Sequence, residues 1–149
     1  MKPAIHRQIA ANYPFLLTLQ TRFSDMDTLE HLNNVAIAGL YEEARVRFHR
    51  EVLEGAMPRA PDMRTVVASL SISYLHEGFY PDQLACGTGI VSIGRSSYVV
   101  GQAFFQNGQC IGVCDTVLAQ RKEGAAALVT PELRAGYEKL LIGGAVSSQ

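Results

Sequence analysis

Between Arg22 and Arg45 the chain reads RFSDMDTLEHLNNVAIAGLYEEAR. Two carboxylates, a histidine and paired asparagines share one short polar stretch, which runs directly into an amphipathic one. A carboxylate held just before a helix N-terminus can activate water beside a site that binds an oxyanion. Asp25 and Asp27 are the acid–base candidates. The helix start supplies unpaired backbone N–H groups and a positive dipole end, where developing negative charge is stabilised.

The flanking elements must hold those groups in place. Phe15 to Phe23 (FLLTLQTRF) alternates as a strand, and Ser24 to Asn33 follows as a loop. Ile37, Leu40, Tyr41, Ala44, Phe48 and Val52 then recur at spacings of three and four, an apolar stripe along one helix face. Glu42, Glu43, Arg45, Arg47, Arg50 and Glu51 take the remaining faces. Asn33 or Asn34 is the expected N-cap, and Gly55 with Pro58 the expected stop. The second half is strand-rich. Ala68, Leu70, Ile72 and Tyr74 alternate with Ser69, Ser71 and Ser73, and strands follow over 83–93 and 97–106. Asn107-Gly108 is a strong hairpin signal leading into a strand over 109–120. Thr130-Pro131 opens a C-terminal helix through Leu141. The order is α+β, one long helix laid across a curled, mainly antiparallel sheet of about five strands.

The 149 residues suit a single domain over 1–149, with 1–12 and 143–149 expected to be loose. At 48% hydrophobic and 18% charged the composition is globular, and a net charge of -1 gives no reason to expect nucleic acid or an acidic membrane as partner. No apolar run approaches the roughly 20 residues of a membrane span. The N-terminal residues lack an apolar core followed by a small-residue cleavage site, so a cytoplasmic location is expected. Cys86, Cys110 and Cys114 are odd in number and lack CxxC spacing. Cys110 and Cys114 are expected to point the same way along one strand, roughly 13 Å apart, too far for a disulfide. All three read as buried thiols. His6, His49 and His76 show no ligand spacing, and no metal site or cofactor is expected.

In this order the motifs resemble the hotdog-fold acyl-CoA thioesterases, nearest to the 4-hydroxybenzoyl-CoA thioesterase-like branch. The family pattern D-x-D-x-x-G-H-v-N-N is met by Asp25-Met-Asp27-Thr-Leu-Glu30-His31-Leu-Asn33-Asn34, and Y-x-E-x-A-R by Tyr41-Glu-Glu43-Ala-Arg45. G-D-x-L corresponds to Pro81-Asp82-Gln-Leu84, and I-G-x-S-S to Ile93-Gly94-Arg95-Ser96-Ser97. The match covers roughly residues 15–140. Glu30 stands where the family has glycine, and His76-Glu77 where a proline often follows the strand-end tyrosine. Both departures bear on substrate identity more than on fold.

The resemblance implies that Asp27 attacks a thioester or deprotonates a water that does so, and that His31 supports the loop. Asn34 or Val35 would offer the backbone N–H for the oxyanion, with the Asn33 and Asn34 side chains shaping the turn. Tyr41 would line the substrate site, and Arg95, Ser96 and Ser97 would contact coenzyme A. Glu43, which matches the helix glutamate of a sister branch, is read here as pairing with Arg45. The substrate would be an acyl-CoA or an acyl carrier protein thioester, and the family's edge-to-edge pairing implies a homodimer or homotetramer with sites between subunits. The alternatives are a hotdog dehydratase or hydratase using Asp27 with His31, and a non-catalytic acyl-CoA-binding protein.

Overall fold

The computed structural model describes residues 2–56 and 60–144. The strands are β1 (Phe15–Leu19), β2 (Met63–Tyr74), β3 (Leu84–Ile93), β4 (Ser97–Gln106), β5 (Gln109–Lys122) and the short β6 (Ala125–Ala126). They form one antiparallel sheet in the order β1-β3-β4-β5-β2, with β6 returning beside β5. The sheet curls around α1 (Asn34–Phe48), the hotdog arrangement expected above. After α1 the backbone widens into a π turn (His49–Leu53) and continues as α2 (Glu54–Ala56). Gly55 lies in that last turn, while Pro58 falls outside the described residues.

The helix forms where its cap and stripe predict. Asn33 is the N-cap, its side-chain oxygen accepting from the Val35 and Ala36 N–H groups at 2.8 and 3.4 Å. Ile37, Tyr41, Ala44 and Phe48 are buried against the sheet. They join two clusters, one with Leu84, Phe104 and Cys114 and one with Ile90, Tyr98 and Leu118. Arg45 does not take an outer face as expected. It is 5% exposed, and its guanidinium reaches the Thr116 hydroxyl of β5 at 3.3 Å. Its nearest carboxylate is Glu42, at 4.0 Å, so the expected Glu43–Arg45 pair does not form. Residues two apart on a helix project in different directions, whereas those three apart are neighbours.

Three other departures trace to local causes. β1 ends at Leu19, not Phe23. The Asp25 carboxylate accepts from the Arg22 N–H at 2.8 Å and draws 23–25 into a 3-10 turn that leaves Phe23 exposed. Cys110 and Cys114 face opposite sides of the sheet, because Phe104 pairs with Gly112 and Phe105 with Cys110. Ile111 is therefore the extra residue of a bulge, which shifts the alternation by one. Residues 2–12 are not loose. Two 3-10 turns, Ile5–Gln8 and Ala10–Asn12, bring Arg7 onto the outer sheet face, where it meets Asp115 at 2.6 Å and Tyr13 Oη at 3.3 Å. Glycine permits that approach. A Cβ at Gly101 would lie 2.5 Å from the Arg7 guanidinium, and one at Gly87 2.6 Å from the Tyr13 ring.

β2 is an edge of the sheet, and its apolar face is only half covered. Leu70 and Ile72 stand opposite Thr116 and Cys114 on the helix side, but a bulge at Ala68 interrupts the alternation. Leu70 is 43% exposed, and Val66, Val67 and Tyr74 are exposed as well. An edge with both unpaired backbone groups and bare apolar side chains is a surface prepared for another strand.

Candidate active site

The loop between β1 and α1 crosses the open end of the helix, and its two aspartates have different surroundings. Asp25 is 1% exposed. It accepts from the Arg22 backbone N–H at 2.8 Å and from the Arg22 guanidinium at 2.9 Å, and its own carbonyl receives the Asn33 N–H at 2.8 Å. Burial alone would raise its pKa, but the hydrogen bonds and charge of Arg22 outweigh that and hold the carboxyl below its ordinary value. Its oxygens are engaged in holding the loop to the helix start.

Asp27 turns the other way, into a cavity of about 460 Å³ lined by His31, Asn34, Ile37, Tyr74 and Glu77 among others. Its Oδ1 accepts from the Leu29 N–H at 2.8 Å, an Asx turn that fixes the side chain. Its Oδ2 lies 3.6 Å from His31 Nδ1. That nitrogen is also 3.3 Å from the Leu32 carbonyl, to which a protonated Nδ1 donates, so the imidazole packs between that carbonyl and the Asp27 carboxylate. On its far side His31 Nε2 is 4.0 Å from Glu77. Glu30 sustains the turn at φ 66°, the left-handed conformation that glycine adopts without strain. The backbone thus keeps a glycine shape although the residue is glutamate.

Asn34 is the first residue of α1, and its N–H makes no hydrogen bond among the described residues. The Val35 N–H, the other candidate donor, is occupied by the Asn33 side chain. Asn34 shares the Asp27 cavity, and Tyr74 Oη donates to its carbonyl at 3.1 Å. Tyr74 stands at the end of β2, where the sequence places it among the residues facing the pocket, whereas no motif names Glu77 as a site residue. The His76-Glu77 departure from the family pattern was the signal that pointed there.

The remaining predicted residues lie elsewhere. Tyr41 is fully buried, stacked on Phe104 at 3.9 Å, and has no surface to offer a ligand within one chain. Arg95, Ser96 and Ser97 form the β3–β4 turn at the opposite end of the sheet from Asp27. Ser97 pairs with Ala119 whereas Tyr74 pairs with Gly112, seven residues apart along β5 or roughly 23 Å at standard rise. Glu43 is exposed on the other flank of the helix, in a separate groove that Asp25 and Asn33 also line. Burial pushes the Cys86 thiol up to about 12 and raises those of Cys110 and Cys114, so all three are inert at neutral pH. Among the described residues no group of three or more His, Cys, Asp or Glu side chains could hold a metal ion, and no helix is long and apolar enough to cross a membrane.

Comparison with known proteins places this geometry. No curated protein matches the chain. Among solved structures, the chain resembles the PA5185 protein of Pseudomonas aeruginosa strain PAO1 with a TM-score of 0.77 at 21% identity, covering 91% of this chain and 97% of that one. It resembles a thioesterase from Thermus thermophilus, solved with coenzyme A and zinc, with a TM-score of 0.74 at 27% identity over 87% of this chain and 95% of that one. A thioesterase superfamily protein from Jannaschia sp. CCS1 gives 0.73 at 20% identity, over 84% and 81%. The family model for the thioesterase-like superfamily matches residues 21–136, which is most of the chain. With the hotdog sheet and the loop-and-helix site already in hand, that match is decisive: the chain belongs to the thioesterase-like superfamily.

Proposed function

We propose that this protein hydrolyses an acyl-CoA thioester to a free acid and coenzyme A, with Asp27 as nucleophile or general base. The carrying observation is that Asp27 and Asn34, whose N–H has no partner among the described residues, line one cavity at the start of α1. Thioester hydrolysis needs an attacking oxygen near the carbonyl carbon and a donor near its oxygen. Attack by Asp27, or by a water it deprotonates, places negative charge on the former carbonyl oxygen. The Asn34 N–H and the helix dipole receive that charge. Collapse of the intermediate expels the thiolate, a good enough leaving group that strong acid assistance is unnecessary. Where water attacked, the acid forms at once and the proton held by Asp27 passes to the thiolate. Where Asp27 attacked, a water then hydrolyses the mixed anhydride to the acid and free Asp27. His31 holds Asp27, and the Tyr74 hydroxyl holds the Asn34 peptide.

The β3–β4 turn cannot reach Asp27 of its own chain. Two β2 edges paired antiparallel about a two-fold axis would bring the Tyr74 end of one protomer to the Met63 end of the other, beside that protomer's Arg95, Ser96 and Ser97. The reading is therefore of an obligate homodimer, or a tetramer built from it, whose coenzyme A contacts come from the partner. The exposed apolar face of β2 supports this pairing. The bound coenzyme A of the Thermus thermophilus thioesterase supports the choice of thiol, with an acyl carrier protein as the other candidate. Three buried thiols suit a cytoplasmic protein.

The 3.6 Å Asp27–His31 approach favours one second reading, a dehydratase or hydratase acting on the acyl chain of a thioester. A thiol-release assay over short, long and aromatic acyl-CoAs, comparing wild type with Asp27→Asn, tests both. Thiol release that collapses in the variant is the expected result. Undiminished hydrolysis in the variant overturns the role of Asp27, and an altered acyl double bond without free thiol selects the second reading.

A further inference from the structure

The cavity that holds Asp27 contains a second carboxylate, Glu77, to which the hydrolytic reading gives no task. Glu77 sits on a stretch of backbone fixed from both sides. Before it, the Leu75 and His76 N–H groups donate to the Ile111 carbonyl at 3.0 and 3.2 Å. After it, the Gly78 carbonyl accepts from the Leu32 N–H at 2.8 Å. Gln106, 4% exposed, takes the Phe79 N–H on its Oε1 and donates its Nε2 to the Phe79 carbonyl, both at 2.8 Å. Gly78 lets the segment lie this close, since a Cβ there would come within 2.9 Å of the Ile111 and Leu32 side chains. The Glu77 carboxylate is carried on a rigid base although its side chain is 66% exposed.

Its charge lies one imidazole ring away from Asp27. His31 Nδ1 is 3.6 Å from the Asp27 carboxylate, and His31 Nε2 is 4.0 Å from that of Glu77. Beside Asp27, the acid and imidazole side chains on the cavity wall are Glu77, His31 and His76, and among the described residues no Lys or Arg lines it. Leu29, Leu32, Ile37 and Leu75 make the rest of the wall largely apolar. On the hydrolytic reading the coenzyme A arm leaves past Tyr74 toward the partner subunit. The acyl arm then runs the other way, over Leu32 and Leu75, with Glu77 beside its far end.

We propose that Glu77 sets acyl specificity, admitting acyl groups that end in an uncharged group and disfavouring those that end in a carboxylate. This inference rests on the coenzyme A thioester reading of the Asp27 cavity and deepens it. A fixed charge that repels the wrong ligand is a common source of discrimination. Because the Glu77 carboxylate is largely solvated, its repulsion is screened, and the discrimination is several-fold and sensitive to salt.

The test uses the intact protein and two thioethers of coenzyme A that cannot be hydrolysed, S-butyl-CoA and S-(3-carboxypropyl)-CoA. Their arms differ only in the terminal group. Calorimetry gives the affinity ratio of the butyl to the carboxypropyl ligand in wild type, Glu77→Gln and Glu77→Lys, with thermal midpoints certifying that the variants are folded. Comparing ratios cancels what the coenzyme A moiety and the partner subunit contribute alike in all three proteins. The wild type should favour the butyl ligand. The ratio should fall about threefold in Glu77→Gln and about tenfold in Glu77→Lys. Both differences should shrink in about 0.5 M salt, which a change of shape alone would not do. The role of Glu77 is overturned by a wild type that prefers the carboxypropyl ligand, by one ratio common to all three proteins, or by differences that salt leaves intact. Binding of neither ligand removes the coenzyme A site and the proposal with it. Thiol release from butyryl-CoA, measured alongside, keeps the two readings apart. The expected ratios in a protein that releases no thiol refute hydrolysis and leave Glu77 in place, whereas full release with unmoved ratios refutes Glu77 alone.

Discussion

The two halves of the loop before α1 make the sharpest contrast in this molecule. Arg22 to Asp25 is sealed, Asp25 being 1% exposed with both carboxylate oxygens hydrogen-bonded to Arg22. Asp27 to Asn34 is open, its carboxylate held by one backbone N–H and a neighbouring imidazole and facing a cavity. The residue types are the same and the positions differ by two. A buried carboxylate with both oxygens engaged fastens a loop. One that is oriented yet still has a free lone pair can act on a ligand. The sealed half holds the open half still, because the Asp25 carbonyl takes the N–H of the Asn33 cap that shapes the helix start.

If that division of labour holds, Asp27→Asn should lower the rate of thiol release by at least about 100-fold, the scale of a lost general base or nucleophile, with little change in denaturant midpoint. Full activity would erase the contrast. A second large effect should come from the sheet edge. Leu70→Lys places a charge in the middle of the exposed β2 face, and sedimentation should then find monomers with no thiol release. A fully active dimer would show that the site does not depend on β2 pairing.

Asp25→Asn should act on stability. The Arg22 guanidinium is 73% exposed and contributes little. The buried carboxylate's bond from the Arg22 N–H is the larger loss, about 1.5–3 kcal/mol in urea unfolding. The pH dependence follows from the lowered pKa of Asp25. Its contribution is complete above the unfolded carboxylate value of about 3.9 and is lost as pH falls below that, through the folded value. The variant should therefore show a flatter stability profile in that acid window. An unchanged profile would mean that the Asp25 carboxylate is not stabilising the loop.

The smallest effect sharpens the open half. Glu30→Gly removes the left-handed strain at φ 66° but gives the unfolded chain more freedom, so a net gain of about 0.5–1 kcal/mol is expected. A loss of stability would mean that the Glu30 side chain makes a contact in solution that outweighs its backbone strain.

Much of this was legible in the residues because it depends on local rules. Asn33 caps, Ile37 to Phe48 bury one face, Asn107-Gly108 turns with φ of 51° and 78°, and Thr130-Pro131 starts a helix. These follow from backbone sterics and side-chain period, which are properties of a few consecutive residues. The errors came where one residue altered the count or a distant one supplied a partner. The bulge at Ile111 put Cys110 and Cys114 on opposite faces, and Arg7 docked an N-terminal segment that composition alone marks as loose.

The sequence by itself determined the family, the order of elements and a short stretch holding an acid, an imidazole and a helix start. Only the tertiary structure buried Asp25 and left Asp27 beside a cavity, buried Tyr41, left the Asn34 N–H open where Val35's is taken, and put the 95–97 turn at the other end of the sheet. The physical reason is that hydrogen-bond saturation and burial are set by what folds against a group. The two carboxylates take their own hydrogen bonds locally, from Arg22 and Leu29, but the walls around this loop come from β2, from the 75–78 segment and from the first turn of α1, none of which a spacing rule can aim.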